Sequence, residues 1–482
     1  MIINKRKYLV IFLIPLLVAC SDWMELVPLD GLVKDEYWES KDDVEAVLMG
    51  AYQLFAQQDE VLFMYGEIRG DMISAGDLLS TERLAIMEGT ISPTNSLCDW
   101  ENFYTVINYC NLVIKYGAIV QEKDATYSDY EMKGHQAEAI YLRSLAYFYL
   151  VRTFKEVPLI VDAIESDADD LFPSKATEEE VLTQIEADLN VARLGITDNY
   201  ETTEENKGRA TKGAINALLA DIALWNFDYE SCLEYVSRVE ECEYELMPTS
   251  RWFEIFNPGN SVESIYEFQF DESLDQLSSM YNLTYLDYFL PSESAAEILE
   301  PIYIRGVGSM QSQTNVIWKY IGRYADGHSI RSSSDDESVN WIVYRLSDVL
   351  LMKAEALSQL NRFDEALSVI NEFRTARLLT PLESIDPDAG AFEDIIMNER
   401  AIEFAFEGKR WFDLLRMGRR NNFQRKSELI EILVKNVPAS KKLILAAKLK
   451  DPMGWYLPIE DDELQRNSNL TQNSYYATYT ND

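Results

Sequence analysis

The chain has 482 residues, 47% of them hydrophobic and 26% charged, which is ordinary for a globular protein. This length is sufficient for one large domain or for two to three smaller ones. The formal net charge of −39 gives a surface that repels phosphate backbones, so the composition argues against nucleic-acid binding.

The first twenty residues have the pattern of a secretion signal. A basic segment at 5–7 precedes an apolar run at 8–18, which is shorter than the roughly 20 residues that a bilayer span requires. The run ends in Leu-Val-Ala followed by Cys20, a pattern typical of a bacterial lipoprotein signal. We therefore expect residues 1–19 to be removed and Cys20 to carry acyl chains that anchor the protein in a membrane. An ordinary secretory signal with a coincidental cysteine is the alternative.

Helical periodicity dominates the rest of the chain, and a capping-box pattern at 40–43 marks the first helix. Apolar residues recur at helical spacing in 44–55, 134–153, 180–194, 211–225, 229–242, 344–359, 363–377 and 393–416. Candidate strands are short and lie at 264–270 and 315–320. The sequence therefore predicts a mainly α fold with a few short strands.

Two pairs of these helices resemble each other. Ala220, Ala223, Tyr229, Cys232 and Val236 align, at one offset of 134 residues, with five positions of the later pair: Ala354, Leu357, Phe363, Ala366 and Ile370. Small residues on the first helix and an aromatic residue at the start of the second are typical of tetratricopeptide pairs. A chance match between two short stretches is the alternative.

Two long stretches, roughly 59–97 and 271–341, have weak periodicity. Loops of this length are usually functional or disordered. Their aromatic content argues against disorder. We therefore predict that both are ordered loops with a functional role.

The sequence predicts no metal or cofactor. Cys98 and Cys110, if they share one helix, lie too far apart for a disulfide, and His135 and His328 are the two histidines of the chain. Nucleotide, serine-hydrolase and zinc-protease motifs are absent from the sequence. The segment 167–178 has calcium-loop spacing but Phe172 where the turn requires glycine, so we interpret it as an acidic linker.

The segment 398–420, NERAIEFAFEGKRWFDLLRMGRR, contains the one serious catalytic candidate. Glu403 and Glu407 lie at i and i+4, about 5–6 Å apart on a helix, which is within the range for the two carboxyls of a glycosidase. However, arginines interleave with the glutamates, and ion pairs lower carboxyl pKa values where a general acid needs a raised pKa. We interpret the segment as a structural ion-pair cluster.

The same segment resembles the carboxy-terminal signature of the RagB/SusD family of nutrient-uptake lipoproteins of the Bacteroidetes outer membrane. Similar resemblances are found at 137–160, 208–225 and 344–357. The ending, 455–476, resembles the family's closing pattern, with Glu460 in place of a proline and Ser474-Tyr475 in place of Pro-Gly. The likeness extends from residue 20 to about 476.

The resemblance implies a scaffold of tetratricopeptide-like helical pairs that forms a right-handed superhelix and carries an irregular, loop-rich ligand-binding half. It implies a non-enzymatic protein on the cell surface that binds oligosaccharides, or in some members peptides or other nutrients, and delivers them to a SusC-type TonB-dependent transporter. We expect residues 20–482 to form one such domain, with its paired helices mainly within 38–57, 100–118, 134–246 and 344–418.

Ligand sites of the family lie in variable loops, which match 59–97 and 271–341. Aromatic faces suit sugar rings, and polar side chains beside them satisfy the hydroxyls. We therefore predict that the ligand contacts Tyr281, Tyr285, Tyr288 and Asn282, and that Asp77 and Arg83 contribute from the first loop. Positions 281, 285 and 288 also share one helical face, so core packing is the competing interpretation.

Three functions remain open at this point. A glycan-binding component of a transporter pair predicts binding without turnover. A glycoside hydrolase that uses Glu403 and Glu407 predicts product release that Glu403→Gln abolishes. A scaffold that binds the transporter but no ligand predicts that no aromatic residue of 271–341 is exposed.

Overall fold

The computed structural model of the protein describes residues 37–166, 169, 171–286, 288–302, 305–311, 316–320 and 338–477. The predicted signal segment, Cys20 and His328 lie outside these residues. The described part is mainly helical, as the periodicity predicts. Its first helices are α1 (Lys41–Ala56), α2 (Asp59–Glu67), α3 (Thr81–Met87), α4 (Glu101–Lys123), α5 (Asp129–Phe154), α6 (Glu178–Ala192), α7 (Thr203–Gly208), α8 (Lys212–Trp225) and α9 (Tyr229–Glu240).

The second half continues with short helices and then returns to long ones. These are α10 (Met280–Tyr285), α11 (Glu293–Leu299), α12 (Arg305–Ser309), α13 (Leu346–Gln359), α14 (Phe363–Ala376), α15 (Ala389–Glu403), α16 (Arg410–Phe423), α17 (Lys426–Lys435), α18 (Lys442–Leu449) and α19 (Asp461–Arg466). Short 3-10 turns occupy Ser96–Cys98, Thr249–Ile255, Glu272–Leu274 and Pro452–Trp455.

Side chains at the helix starts fix several of these boundaries. The capping box predicted at the start of α1 is present, since the backbone N–H of Ser40 donates to Asp43 at 2.7 Å. Thr177 and Glu180 form the same arrangement at the start of α6, where the Thr177 N–H donates to Glu180 at 2.8 Å. Each box satisfies N–H groups that the first turn of a helix leaves unpaired. The acidic segment that ends at residue 178 therefore runs directly into a capped helix.

Both of the predicted helical pairs are present. Helix α8 packs against α9, α13 packs against α14, and α9 also packs against α13, so the two pairs stack. Ala220, Cys232, Ala354 and Ala366 are fully buried at these contacts. Small side chains allow the paired helices to approach closely. Earlier in the chain, α4 packs against α1 and α5, and α5 packs against α6.

The predicted helix over 393–416 is wrong, because a break at 404–409 divides it into α15 and α16. Phe406 and Gly408 both adopt a positive φ of 67° there. A Cβ on Gly408 would lie 2.8 Å from the ring of Trp341, and a Cβ on Gly66 would lie 1.6 Å from the Gly408 carbonyl. The break therefore lets the signature segment turn directly against the backbone of α2.

Strands form four two-stranded antiparallel sheets in the described part. Strand β4 (Ser264–Phe268) pairs with β8 (Trp341–Arg345), β2 (Val157–Pro158) with β3 (Lys175–Ala176), and β6 (Met310–Gln311) with β7 (Val316–Ile317). The strand predicted at 264–270 is confirmed, whereas the described part of 315–320 contributes only two strand residues. The fourth sheet joins β1 (Ile73–Ala75) to β5 (Phe289–Pro291).

Candidate functional site

The signature glutamates lie inside the protein and are surrounded by cations. We name Glu263, Arg305, Lys319, Arg345, Arg377, Glu403 and Glu407 the ion-pair cluster; each of these side chains is at most 1% exposed. Arg345 donates to both oxygens of Glu407, at 3.0 and 2.8 Å, and to Glu403 at 2.6 Å. Strand β8 ends at Arg345, so the sheet positions the guanidinium between the two carboxylates.

The remaining cations complete the enclosure from other elements. Arg377 reaches Glu403 at 2.8 Å and both oxygens of Glu263 at 2.7 and 2.8 Å. Arg305 donates to Glu403 at 2.7 Å, and Lys319 donates to Glu407 at 2.8 Å. Charge-assisted bonds of this kind satisfy the carboxylate oxygens that burial removes from water.

This environment keeps both candidate carboxylates ionised. Although burial acts to raise it, the guanidiniums of Arg377, Arg345 and Arg305 hold the pKa of Glu403 well below its usual range. Burial is likewise outweighed at Glu407, where Arg345 and Lys319 lower the pKa. A glycosidase acid needs a raised pKa and access to the sugar. The interpretation of this segment as a structural ion-pair cluster is confirmed.

The two weakly periodic stretches meet at the β1–β5 sheet, whose paired residues are more than 200 positions apart in the chain. Ala75 pairs with Phe289 in this sheet, and the N–H of Gly76 donates to the carbonyl of Tyr288 at 3.0 Å. The turn that contains Asp77 therefore begins beside the predicted ligand-binding tyrosines. We name the side chains of Asp77, Arg83, Tyr281, Asn282 and Tyr288 the loop surface.

A buried carboxylate fixes the second stretch to the first. Asp59, in the first turn of α2, accepts hydrogen bonds from the Ser278 hydroxyl at 3.0 Å and from the Ser279 N–H at 2.6 Å. Burial raises the pKa of Asp59 to about 6, against the hydrogen bonds from the two serines. Residues 278–279 directly precede α10, which also packs against α2 and β5. Asp59 therefore positions the helix that carries Tyr281 and Asn282.

The tyrosines are arranged differently from the prediction. The competing interpretation of one helical face at 281, 285 and 288 is wrong, because α10 ends at Tyr285 and Tyr288 lies directly before β5. Tyr281 and Tyr288 each pack partly against the hydrophobic core and remain partly exposed. The side chain of Tyr285 is outside the described part of the chain. Core packing thus accounts for part of each described side chain, and the rest is accessible to solvent.

The first stretch contributes charged groups to the same place. Arg83 in α3 forms an ion pair with Glu60 of α2, and it is 25% exposed. Burial lowers the pKa of Arg83, while the neighbouring Tyr288 phenol acts in the opposite direction. Asp77 is exposed in the turn after β1. The structure therefore brings Arg83 close to Tyr288, and it places Asp77 where the joining sheet ends.

Some residues of this region were not predicted. Leu78, Leu274, Leu277 and Leu286 expose large apolar side chains in the two stretches. Apolar side chains beside polar ones are typical of ligand sites. The exposed leucines lie in stretches with weak periodicity, so the sequence pattern does not indicate which side chains are exposed. The role of Asp59 could not be predicted from the sequence either, because its serine partners lie about 220 positions away.

The described residues contain no cluster of three or more His, Cys, Asp or Glu side chains that could hold a metal ion. Glu178, the last position of the calcium-like spacing, instead accepts from Trp225 at 2.7 Å and pairs with Arg419 at 2.9 Å and Lys155 at 3.3 Å. These contacts engage the carboxylate in packing α6 against its neighbours.

Comparisons with known proteins agree with this architecture. A family model described as "SusD family" matches residues 302–476, and a second, described as "Starch-binding associating with outer membrane", matches residues 23–224. The second description associates the family with the outer membrane. Among the helices of the described part, none combines the length and the apolar character that a membrane span requires.

Similar solved structures establish the fold. A SusD superfamily protein from Bacteroides vulgatus superimposes with a TM-score of 0.75 at 19% identity, covering 91% of this chain and 100% of that chain. A structure described as a laminarin binding SusD-like protein gives a TM-score of 0.73 at 22% identity, with coverages of 91% and 100%.

Curated relatives extend the likeness along the sequence. SusD-like protein P38 of Formosa agariphila is 24% identical over 466 residues, which cover 85% of this chain and 90% of the relative. A SusD-like protein of Bacteroides ovatus is 26% identical over 469 residues, which cover 86% of this chain and 83% of the relative. With two family models that match separate stretches and relatives similar along most of its length, the chain belongs to the SusD/RagB family.

Proposed function

We propose that this protein is a cell-surface lipoprotein that captures oligosaccharides at the loop surface and delivers them to a SusC-type TonB-dependent transporter. It binds glycans without cleaving them. The observation that supports the proposal is the junction of two distant chain segments, which brings partly exposed Tyr288 close to Arg83 and packs the helix that carries partly exposed Tyr281 against β5. Its anchor is the lipid on Cys20.

The chemistry of the loop surface fits a sugar better than a purely apolar ligand. A partly exposed tyrosine ring buries the C–H face of a sugar ring, and its hydroxyl remains available for a hydrogen bond. The guanidinium of Arg83 and the carboxylate of Asp77 supply a donor and an acceptor for sugar hydroxyls. The family description "Starch-binding" and the similar laminarin binding SusD-like protein support the same ligand class.

The overall charge favours a neutral glycan. A protein with net charge −39 repels a polyanion over distances of about one Debye length, roughly 8 Å at physiological salt. Arg83 is already paired with Glu60, so it adds little net positive charge to the loop surface. We therefore place neutral polysaccharides before anionic polysaccharides and peptides as ligands.

A calorimetric titration of residues 21–482 with starch, laminarin, an anionic polysaccharide and a peptide mixture tests the proposal. We expect binding of one neutral polymer with Kd between about 1 μM and 1 mM, that is roughly −8 to −4 kcal/mol. Tyr281→Ala combined with Tyr288→Ala removes this binding, whereas Tyr130→Ala, at a remote and 66% exposed tyrosine of α5, preserves it.

Two outcomes contradict the proposal. Release of reducing ends from the bound polymer, measured in the same samples, shows an enzyme instead of a binding protein. Binding of peptides alone, with no response to any polysaccharide, shows a different ligand class. If neither class binds to the isolated protein, the titration is repeated on the complex with the co-purified transporter, and a silent complex contradicts glycan capture.

A further inference from the structure

A small cavity lies behind α3, between the end of α2 and the carboxy-terminal helices α16, α17 and α18. This cavity has a volume of about 40 Å³, enough for roughly three water molecules. Its walls are mainly apolar, and they include Ile73, Ile86, Leu433 and Leu445. None of the residues of the loop surface lines it, so it is separate from the proposed glycan site.

Two cations and one indole line this apolar space. Arg69 donates through Nη1 to the carbonyl of Trp455 at 2.7 Å, and its guanidinium lies 4.6 Å from the centroid of the Trp411 ring. The Nε and Nη2 atoms of Arg69 and the Nε1 atom of Trp411 are enclosed and have no hydrogen-bond partner among the described residues. Such unpaired donors are costly inside a protein unless a water or a ligand accepts from them.

Lys448 supplies the second positive charge. It is 4% exposed and donates to the Tyr476 hydroxyl at 2.7 Å and to the Gly89 carbonyl at 3.2 Å, which leaves one of its three N–H donors unassigned. Burial, and after it the charge of Arg69, lower the pKa of Lys448 to about 7. The two cations therefore repel each other across a site of low polarity.

Within the described ranges, no carboxylate pairs with either cation, although the chain has 82 acidic residues against 43 basic ones. Two other arginines, the buried Arg416 and the partly buried Arg209, behave differently. Arg416 binds Glu355 through Nε and Nη2 at 2.9 and 2.8 Å, and Arg209 binds Glu138 through the same edge at 2.9 and 2.8 Å. The edge that binds carboxylates elsewhere in the molecule is the edge that Arg69 leaves open.

We propose that this cavity, which we name the Arg69 cavity, binds a small carboxylate anion the size of formate or acetate. The two oxygens accept from Nε and Nη2 of Arg69 in the bidentate geometry of a fork-like pair. The ammonium of Lys448 provides the second charge, and the indole N–H of Trp411 is a further donor. The apolar wall formed by Ile86 and Leu445 accommodates a methyl group but not a longer chain.

A titration of the purified protein with ¹³C-labelled acetate, followed by NMR line broadening at constant ionic strength, tests this site. We expect acetate to bind at least about tenfold more tightly than chloride, because the guanidinium fork engages two oxygens at once. Butyrate, which exceeds the cavity, binds at least about tenfold more weakly than acetate. Equal responses to acetate, chloride and butyrate would overturn the proposal.

Variants locate the binding. Arg69→Lys keeps the charge and removes the fork, so acetate affinity falls about tenfold. Arg466→Lys, at a 62% exposed arginine, is the matched control and keeps wild-type affinity. Lys448→Met removes the other cation and should also weaken acetate binding, so it tests the site if Arg69→Lys does not fold. Unchanged acetate affinity in a folded variant at either position contradicts the site, and if neither folds, the comparison of acetate, chloride and butyrate on the wild type decides.

Discussion

The ion-pair cluster and the loop surface use the same kinds of residue for opposite purposes. In the cluster, three glutamates and four cations are withdrawn from water and pair with one another through short charge-assisted hydrogen bonds. At the loop surface, one arginine and one aspartate remain near water beside partly exposed tyrosines. The difference indicates that the most recognisable residues of the chain stabilise it, while the residues proposed to bind ligand lie in sequence with weaker periodicity.

The two regions are nevertheless connected through one helix. Gly408, in the break between α15 and α16, donates its N–H to Glu67 at 3.1 Å. Glu67 is the last residue of α2, and Asp59 is the first. Helix α2 therefore connects the signature segment at one end with the segment that positions Tyr281 at the other. The predictions below separate these two regions, in order of the effect expected.

The largest effect is expected from Glu403→Gln. This change leaves Arg345, Arg377 and Arg305 with one carboxylate fewer in a dry environment, and breaking a buried pair costs about 3–5 kcal/mol. The free energy of unfolding from urea denaturation should fall by that amount. Glu365→Gln, which breaks an exposed pair with Arg362, is the control and should cause no measurable change. A Glu403→Gln variant as stable as the wild type would contradict a structural role for Glu403.

The second effect is a pH dependence at Glu67. Burial, with a smaller contribution from Asp71, raises its pKa to about 8 from an ordinary 4.5. Because the folded state binds this proton more tightly than the unfolded state does, protonation of Glu67 stabilises the folded protein. This stabilisation is complete below pH 4.5 and is lost as the pH rises from 4.5 through about 8. Relative to Glu67→Gln, the wild type should lose about 1.4 kcal/mol of unfolding free energy per pH unit within that window. Parallel stability curves for the two proteins would contradict the raised pKa.

Third, Tyr288→Ala and Tyr281→Ala should each weaken glycan binding. An aromatic face contributes about 1 kcal/mol beyond simple area, which corresponds to roughly fivefold in Kd. The Phe variants keep the ring and should lose less than the Ala variants in calorimetry. Glu403→Gln, measured under conditions where it remains folded, should bind as the wild type does. If Glu403→Gln lost glycan binding while the tyrosine variants kept it, the loop surface would not be the binding site.

The smallest effect is expected at Asp77. Its carboxylate is exposed in the turn after β1, so a hydrogen bond from it to a sugar competes with water. Asp77→Ala should weaken glycan binding by about twofold or less. Glu101→Ala, at an exposed carboxylate at the start of α4, serves as the control. A loss at Asp77 larger than that at Tyr288 would indicate that polar contacts, and not aromatic faces, dominate the loop surface.

Much of the helical scaffold could be predicted, because amphipathic periodicity and caps are local. The pairs α8–α9 and α13–α14 were predicted from apolar spacing and from one offset. The break at 404–409 was not predicted, because most of its residues are compatible with a helix. Gly408 is the main sequence feature there that indicates a break. The break depends on a close approach to Gly66, which lies more than 300 positions away and leaves no trace in the local pattern.

The candidate site was predicted less completely. Composition and resemblance indicated which two stretches to consider, but not that β1 and β5 join them. A strand of three residues carries too little periodicity to be recognised. Ion pairing of the signature glutamates was predicted from arginines nearby in sequence, whereas the actual partners of Glu403 stand at 305, 345 and 377. Long-range pairing is set by tertiary packing, and a single sequence does not reveal it.

The most direct test of the central claim is a hydrogen–deuterium exchange footprint of the protein with and without its bound glycan. The account predicts that the glycan protects backbone amides within 74–84 and 278–291, where the two stretches meet, and leaves 398–420 unchanged. Protection confined to 398–420, or to helix pairs remote from both stretches, would contradict the assignment of binding to the loop surface.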